Sequence, residues 1–362
     1  MSRTQAMHSV ARAWVVGLCL SACGGNSLDS LDRAGIDNGN QEHVLYRPKD
    51  EVFALRSDAE RLYWKSGVLS TITGLRGCVA AACDETVVTY TDGKRNNDGT
   101  PLVKGFTVEA GTLYWVQTRN ESLQSIVSCP VTGCTGEPTV VVAEVYGAES
   151  LLVRGNTVYW SSPKDSALLS CSLVGCTQPA VLALNQEFVG GFTDLAALVA
   201  GERNIYWSNG EQVMSAALDG RSPPSVFAAN QKGLGSLAVN ATHVFWQRGE
   251  AAKTIVSCPL DGCEGEPTVV VADELSTISL VADASRAYWI AADGFDSPRN
   301  ASIRGASVAP VPAPVELYRG ESETAFGPLA LALGPADIYW VGWGTGDNLA
   351  AARHSAIYRM PK

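Results

Sequence analysis

The residues best suited to covalent chemistry in this 362-residue chain are its ten cysteines. Eight of them form four pairs with one spacing, Cys78/Cys83, Cys129/Cys134, Cys171/Cys176 and Cys258/Cys263. Each pair sits where a third strand turns into a fourth. Two residues flanking a four-residue hairpin loop face each other at roughly 4.5–5.5 Å between Cα atoms, close to what a disulfide requires. Four disulfides are therefore expected. A thiolate zinc site would need two such pairs to converge, and no metal is expected. Ser215–Arg221 aligns with Ser257–Cys263, with Ala216 and Arg221 standing where both cysteines would be, so the pair is absent as a unit. Histidine is scarce: beyond the first 22 residues only His43, His243 and His354 occur, without ligand spacing. No nucleophile elbow, zinc-protease helix or phosphate-binding loop is present, and Asp92–Gly99 lacks the alternating carboxylates and closing Glu of a calcium loop. No catalytic residue and no cofactor are expected.

The elements that position these residues repeat. An aromatic–Trp pair occurs seven times, at Tyr63-Trp64, Tyr114-Trp115, Tyr159-Trp160, Tyr206-Trp207, Phe245-Trp246, Tyr288-Trp289 and Tyr339-Trp340. Successive Trp residues lie 51, 45, 47, 39, 43 and 51 positions apart. A period of roughly 40–50 residues built from short β-branched runs is that of a β-propeller, one blade per repeat. Each unit reads as a strand, a tight polar turn, a strand carrying the aromatic pair, and two more strands joined by the Cys hairpin. Residues 125–144 and 254–273 agree at 15 of 20 positions, which marks an internal duplication. In the first repeat Cys78 also aligns with the second Cys of the others, which leaves its register open. The chain ends on a third strand, while residues 43–48 resemble 315–320, the fourth strand of the sixth repeat. The reading is an all-β, seven-bladed propeller over residues 42–362, with 42–48 completing blade seven and closing the ring.

The N-terminus reads differently. Arg3 and Arg12 precede a short apolar run over 13–20, too short to span a bilayer stably, and Leu20-Ser21-Ala22-Cys23 follows. These four residues resemble the bacterial lipobox, which implies cleavage after residue 22 and lipidation of Cys23. Gly24 stands where an inner-membrane retention Asp would be, so the resemblance implies an outer-membrane lipoprotein of a bacterial envelope, facing the periplasm or the cell surface. Residues 23–41 then form the lipidated Cys and a polar flexible tether. Removing the first 22 residues removes two Arg and no acid, leaving 25 basic against 37 acidic residues, a formal −12. That balance argues against nucleic acid as a partner, and membrane contact is expected through the lipid alone.

The Tyr-Trp pattern over nearly all of 42–362 resembles bacterial and extracellular propellers of the YWTD, TolB-like and NHL-like groups. The positions after Trp differ from Thr-Asp, so no ligand site is carried over. Strand order puts the one-to-two turns and the Cys hairpins on one face. The two-to-three loops and the blade connections share the other. That second face carries the long loops over 91–105, 117–125, 184–194, 291–301 and 342–355, where binding is expected. Its candidate residues are Trp343, Arg119, Arg248, Asp293, Asp296, Arg299, Asp347 and His354, with Glu121, Phe188, Phe192, Glu250 and Arg353 nearby in sequence. Trp343 is the one Trp beyond the leader that lies outside the repeat series. The expectation is a non-catalytic, monomeric propeller binding an envelope protein or glycan. The alternative is a lyase or hydrolase acting on peptide or polysaccharide at the central channel.

Overall fold

The computed structural model describes residues 43–68, 71–92, 103–118, 123–188, 198–250, 253–263, 265–274, 276–292, 301–307, 314–319, 327–343 and 355–362. They form seven four-stranded antiparallel sheets. Six are built from consecutive strands, over 51–92, 103–145, 151–184, 198–228, 237–274 and 276–319. The seventh joins Gly327–Leu333, Asp337–Trp343 and Ser355–Pro361 to the first strand of the chain, His43–Tyr46. That strand lies antiparallel to the last, with His43 opposite Arg359 and Tyr46 opposite Ile357. The seven blades and the closing strand are as the repeats imply. Short 3-10 turns at Ala80–Glu85 and Pro163–Asp165 are the only helical elements among the described residues.

Strand geometry explains why the repeat is a dipeptide. Successive side chains of a strand point to opposite faces, so an aromatic and the Trp after it serve two different interfaces. Each hydrophobic cluster joins the aromatic of one blade to the Trp of the next: Tyr63 with Trp115, Tyr114 with Trp160, Tyr159 with Trp207, Tyr206 with Trp246, Phe245 with Trp289 and Tyr288 with Trp340. The seventh cluster brings Tyr339 of the last blade to Trp64 of the first, with Leu45 and Tyr46 of the closing strand packed against it. No blade interface is left without such a cluster. The register is uniform: the Trp residues sit opposite Leu55, Phe106, Leu151, Leu198, Leu237, Leu280 and Leu331 of the inner strands.

The four Cys pairs are bridged as their spacing implies. Cα atoms lie 5.0 Å apart in Cys78–Cys83, 5.2 Å in Cys129–Cys134, 5.7 Å in Cys171–Cys176 and 5.1 Å in Cys258–Cys263. Register settles the first repeat. Cys78 lies opposite Leu62, as Cys129 lies opposite Leu113, Cys171 opposite Val158 and Cys258 opposite Val244, so Cys78 is a first cysteine.

The surroundings of the second cysteines correct the sequence expectation. They do not start the fourth strand across a four-residue hairpin loop. Third-to-fourth-strand pairing ends one residue before each first cysteine, at Gly77↔Val88, Ser128↔Thr139, Ser170↔Ala180 and Ser257↔Thr268. The first cysteine of each pair therefore sits near the end of the third strand, still paired to the second, and the second cysteine lies in the connection to the fourth. Cys83 sits within the 3-10 turn Ala80–Glu85 and is buried, while Cys134 follows a tight turn, five residues before the strand Thr139–Val145. The reason is packing: each second cysteine turns inward onto an inter-blade cluster. Cys83 joins that of blades seven and one, and Cys134 packs against that of blades one and two. Cys176 and Cys263 do the same one and three blades further on. The bridge thus fixes a loop onto the core rather than two strands to each other.

All four of these hairpins are also braced to the one-to-two turn of their own blade by a shared backbone bond. Ala80 N donates to Glu60 O at 2.9 Å, Val131 N to Gly111 O at 3.0 Å, Leu173 N to Asn156 O at 2.9 Å and Leu260 N to Thr242 O at 3.0 Å. Blade four keeps the brace without the bridge, since Leu218 N donates to Arg203 O at 2.8 Å and Ala216 lies opposite Ile205. Ala216→Cys with Arg221→Cys is therefore expected to form a fifth disulfide on oxidation and to add roughly 2 kcal/mol of stability by closing a short loop. Thiol titration of the folded double variant checks this. Two reactive thiols would show that the blade-four hairpin differs from its counterparts.

Candidate functional site

The stapled face is held together by polar contacts that leave it little freedom. Asp58 and Asp283 occupy equivalent turns. One carboxylate oxygen of each accepts backbone N–H groups two and three residues on, and the other accepts the hydroxyl of the anchor Tyr, at 2.6 Å from Tyr63 and 3.2 Å from Tyr288. Further hydroxyls latch onto the hairpin of the following blade: Tyr90 donates to Val131 O at 2.6 Å, Tyr159 to Leu218 O at 3.3 Å and Tyr206 to Leu260 O at 3.4 Å. Burial, reinforced by the hydrogen bond and charge of Asp58, holds the Tyr63 phenol far above its usual range. Burial pushes Tyr90 up to about 12, and burial with the Asp283 charge pushes Tyr288 up to about 12. Burial also lowers His243 below its ordinary value, so the ring is neutral near pH 7. For Asp283, burial raises the carboxyl, but bonds from Lys362 (2.9 Å), Ser285 and Arg286 outweigh it and hold it well below the carboxylate range. At neutral pH the phenols are thus protonated and the Asp283 carboxyl ionised. A shallow hollow of about 260 Å³ lies on this face beside Cys171–Cys176, lined by Thr157, Ser170, Ser172 and Gln178.

The opposite face is built from the starts of the inner strands, the ends of the second strands and the connections. At blades one to three the described residues form a line of charged side chains. Lys65 follows Trp64, so alternation turns it to the other side of the strand. It is 4% exposed and its Nζ donates to Lys104 O at 3.0 Å. Lys104, at the start of blade two's inner strand, pairs in turn with Glu149 on the connection into blade three. Arg76 bridges Asp50 at 3.0 Å and donates to Ser66. On the same connection as Glu149 stands Tyr146, 51% exposed, whose carbonyl accepts the Ser162 hydroxyl at 3.1 Å. Gly147 (φ +61°) lets the chain pass under Lys164, since a Cβ there would lie 2.8 Å from Lys164 Cβ. Tyr146 thus stands exposed on a turn fixed by Ser162 and Gly147, three residues before Glu149 of the Lys104–Glu149 pair.

Of the residues singled out by sequence, Arg248 is described in full. It donates to Gln231 Oε1 at 3.1 Å, which ties it to the connection entering blade five, and meets exposed Glu266, between the third and fourth strands of its own blade, at 3.5 Å. Trp343 ends the second strand of blade seven, paired in register with Ser355 and Gly327, at the edge of the long-loop face. Phe188 packs, partly buried, against the blade-three/four cluster, and Glu250 is exposed. Arg119, Asp293, Asp296, Arg299, Asp347, His354 and Cys23 lie outside the described residues, as do Glu121, Phe192 and Arg353. Sequence reading passed over Gln186 and Gln231. Each follows an Asn in the left-handed region (φ 57° and 58°) and accepts the indole N–H of the next blade's Trp, Trp207 at 2.7 Å and Trp246 at 2.9 Å. The repeated Asn185-Gln186 and Asn230-Gln231 dipeptide was the available signal. Among the described residues no group of three or more His, Cys, Asp or Glu is placed to hold a metal, and no helix is long and apolar enough to cross a membrane.

No family model matches the chain, and no curated protein matches it. Solved structures do. The chain is similar to one from the nidogen/laminin complex (14% identity, 74% of this chain and 92% of that one, TM-score 0.45). It is similar to the computationally designed Ika8 protein (10% identity, 87% and 98%, TM-score 0.49) and to Kluyveromyces lactis Hsv2 (8% identity, 88% and 98%, TM-score 0.53). At 8% identity the likeness to Hsv2 is one of fold alone.

Two substitutions probe these contacts. Gln231→Leu leaves the Trp246 indole N–H buried without an acceptor and takes one from Arg248, at a cost of about 1–3 kcal/mol measurable as a lower urea midpoint. Asp283→Asn tests the carboxylate. A depressed folded pKa stabilises fully above the unfolded value of about 3.9, and that stabilisation is lost as pH falls through the folded pKa. The variant should be less stable than the native chain by about 1 kcal/mol at neutral pH. The difference should shrink below about pH 4 in thermal melts taken across that window.

Proposed function

We propose that the chain is a non-catalytic binding module, anchored through lipidated Cys23 in the outer membrane of a bacterial envelope, whose propeller takes a protein or glycan partner on its long-loop face. The observation that carries this reading is the asymmetry of the two faces. One is stapled by four disulfides, braced hairpins and Tyr latches. The other presents exposed Tyr146 and the Lys104–Glu149 pair and bears the long connections. A rigid scaffold with variable loops on one side is the usual arrangement of a recognition surface. The protonation pattern supports binding over acid–base chemistry at the described residues. The strongly shifted groups are phenols held protonated and a carboxylate held ionised, whereas a general acid or base works near its operating pH. Neutral hydrogen-bonders and an exposed aromatic suit sugar rings and peptide side chains alike.

Capture tests it. Residues 24–362 are immobilised and exposed to envelope extract and culture-fluid polysaccharide from the source cell. The intact domain is expected to retain a discrete species. Trp343→Ala with loop 344–353 removed, and separately Tyr146→Ala, should reduce retention, while Val174→Asp on the stapled face should not. Equal retention by all variants would remove the long-loop face from the proposal, and retention of nothing would turn attention to activity at the channel.

A further inference from the structure

Three connections on the long-loop face, those entering blades three, four and five, share one backbone and differ in the side chain they present. In each, a residue in the left-handed region (Glu144, Asn185 and Asn230, φ 55°, 57° and 58°) precedes a buried one, Val145, Gln186 or Gln231. The next residue, Tyr146, Glu187 or Lys232, is exposed. The backbone is held on both sides of it. Before it, Gln186 N and Gln231 N donate to Ser166 O and Glu211 O at 2.8 and 2.7 Å, and Val145 pairs in register with Gln124. Its own carbonyl is bound by the blade being entered: Ser162 Oγ donates to Tyr146 O at 3.1 Å, Gly210 N to Glu187 O at 2.7 Å and Gly249 N to Lys232 O at 2.8 Å. Acids leading into other blades are engaged internally, Asp50 by Arg76 at 3.0 Å and Glu274 by Arg304 at 2.9 Å. Glu187 and Lys232 form no ion pair among the described residues. The two-to-three turns of these blades are short, over 163–166, 210–211 and 249–252, against 293–301 and 344–354 in blades six and seven.

We propose that Tyr146, Glu187 and Lys232 form a recognition row for one extended segment of a partner protein, which brings an apolar, a basic and an acidic side chain to them in that order. The proposal rests on the reading of this face as a binding surface and gives the partner its chemistry. Spacing selects the class of segment. Packed sheets lie about 10 Å apart, so equivalent positions on successive blades repeat at about that distance. A polyproline II helix has three residues per turn and rises about 3.1 Å per residue, so one of its edges presents every third side chain at a repeat of about 9 Å. A β-strand would turn side chains three apart to opposite faces. Charge selects the side chains. A carboxylate and an ammonium on neighbouring blades match a segment carrying both signs, whereas a neutral sugar chain answers neither and a uniformly charged polymer is attracted by one and repelled by the other. Tyr146 supplies a large amphipathic surface with little side-chain entropy to lose. The three side chains have no structural task in common, so their types are free to be set by what they meet.

Fluorescence anisotropy on the full-length chain in mild detergent tests the row. The labelled probes are the peptide Leu-Pro-Pro-Arg-Pro-Pro-Glu, its reversed sequence, both again with Arg and Glu exchanged, and maltohexaose. One direction of the matched peptide is expected to bind about tenfold more tightly than its exchanged counterpart at low salt, and the ratio should fall as salt is raised. Glu187→Lys with Lys232→Glu should invert the preference at an unchanged thermal midpoint, and Tyr146→Ala should weaken both peptides. Equal binding of matched and exchanged peptides, a preference that the charge-exchanged chain keeps, or no peptide binding at millimolar concentration overturns the row. Maltohexaose binding that needs Tyr146 and ignores the charge exchange overturns the polypeptide class. In envelope capture, a species retained equally by the native and charge-exchanged chains overturns the row and leaves the binding face standing. A species retained equally by every long-loop-face variant overturns both.

Discussion

Everything in this fold depends on the two-sidedness of a β-strand. A four-stranded blade has two apolar faces and cannot bury either by itself, so each must be covered by a neighbour. The aromatic–Trp dipeptide serves both at once, because consecutive residues leave the strand on opposite sides. Tyr288 reaches forward to Trp340, while Trp289 reaches back to Phe245. A fully buried Trp removes 150–250 Å² from water, of the order of 4–6 kcal/mol before entropy is counted, so each interface is worth a large share of a domain's net stability. The contacts run only between neighbours, and an open array would leave one end blade with an uncovered aromatic face. Closure is therefore part of the energetics, and strand His43–Tyr46 supplies it across the widest sequence separation in the molecule.

Polar contacts refine what the aromatics establish. An indole N–H buried with its ring is stabilised by an acceptor, and in blades four and five that acceptor is a Gln side chain from the incoming connection, whereas those of Trp64, Trp115, Trp289 and Trp340 have none among the described residues. Positive φ at Asn185 and Asn230 is where each connection turns, a conformation Asn tolerates better than most residues. The duplicated Asn-Gln thus joins a backbone requirement to a hydrogen-bonding one. On the far side of the ring, Tyr hydroxyls and Asp turns perform the corresponding task, and the Cys bridges hold their loops down on the inter-blade clusters.

The two faces consequently have different freedom to vary. A hairpin that must present a first cysteine opposite the residue before the aromatic, and a backbone N–H to its own one-to-two turn, tolerates few changes of length. The connections differ from blade to blade in sequence and length, with the Asn-Gln acceptor shared by those entering blades four and five. At Glu149 a connection carries an ion pair to Lys104 across 45 residues, and Lys65 bonds the Lys104 carbonyl across 39, so both contacts join successive blades. Arg248 shows the other side of this: a loop arginine read from sequence as free to bind is engaged by Gln231 and Glu266.

Sequence alone determined what is local or strictly periodic. The number of blades, the Cys pairings, the missing bridge of blade four and the borrowed closing strand all follow from spacing, because a tight connection brings together residues a few positions apart and a repeat copies that geometry. Tertiary structure decided what passes between blades. The sharing of each aromatic–Trp pair between two interfaces, the Gln186 and Gln231 acceptors, the Tyr90, Tyr159 and Tyr206 latches and the Lys65–Lys104–Glu149 line were not legible beforehand. Nor were the register of Cys78 and the inward turn of Cys83 and Cys134, since spacing fixes which sulfurs meet but not what the loop between them packs against. The inter-blade hydrogen-bond partners lie roughly 15–60 positions apart, and which ones meet depends on the angle and distance at which one blade faces the next. A linear pattern does not encode that geometry, and only the closed ring sets it.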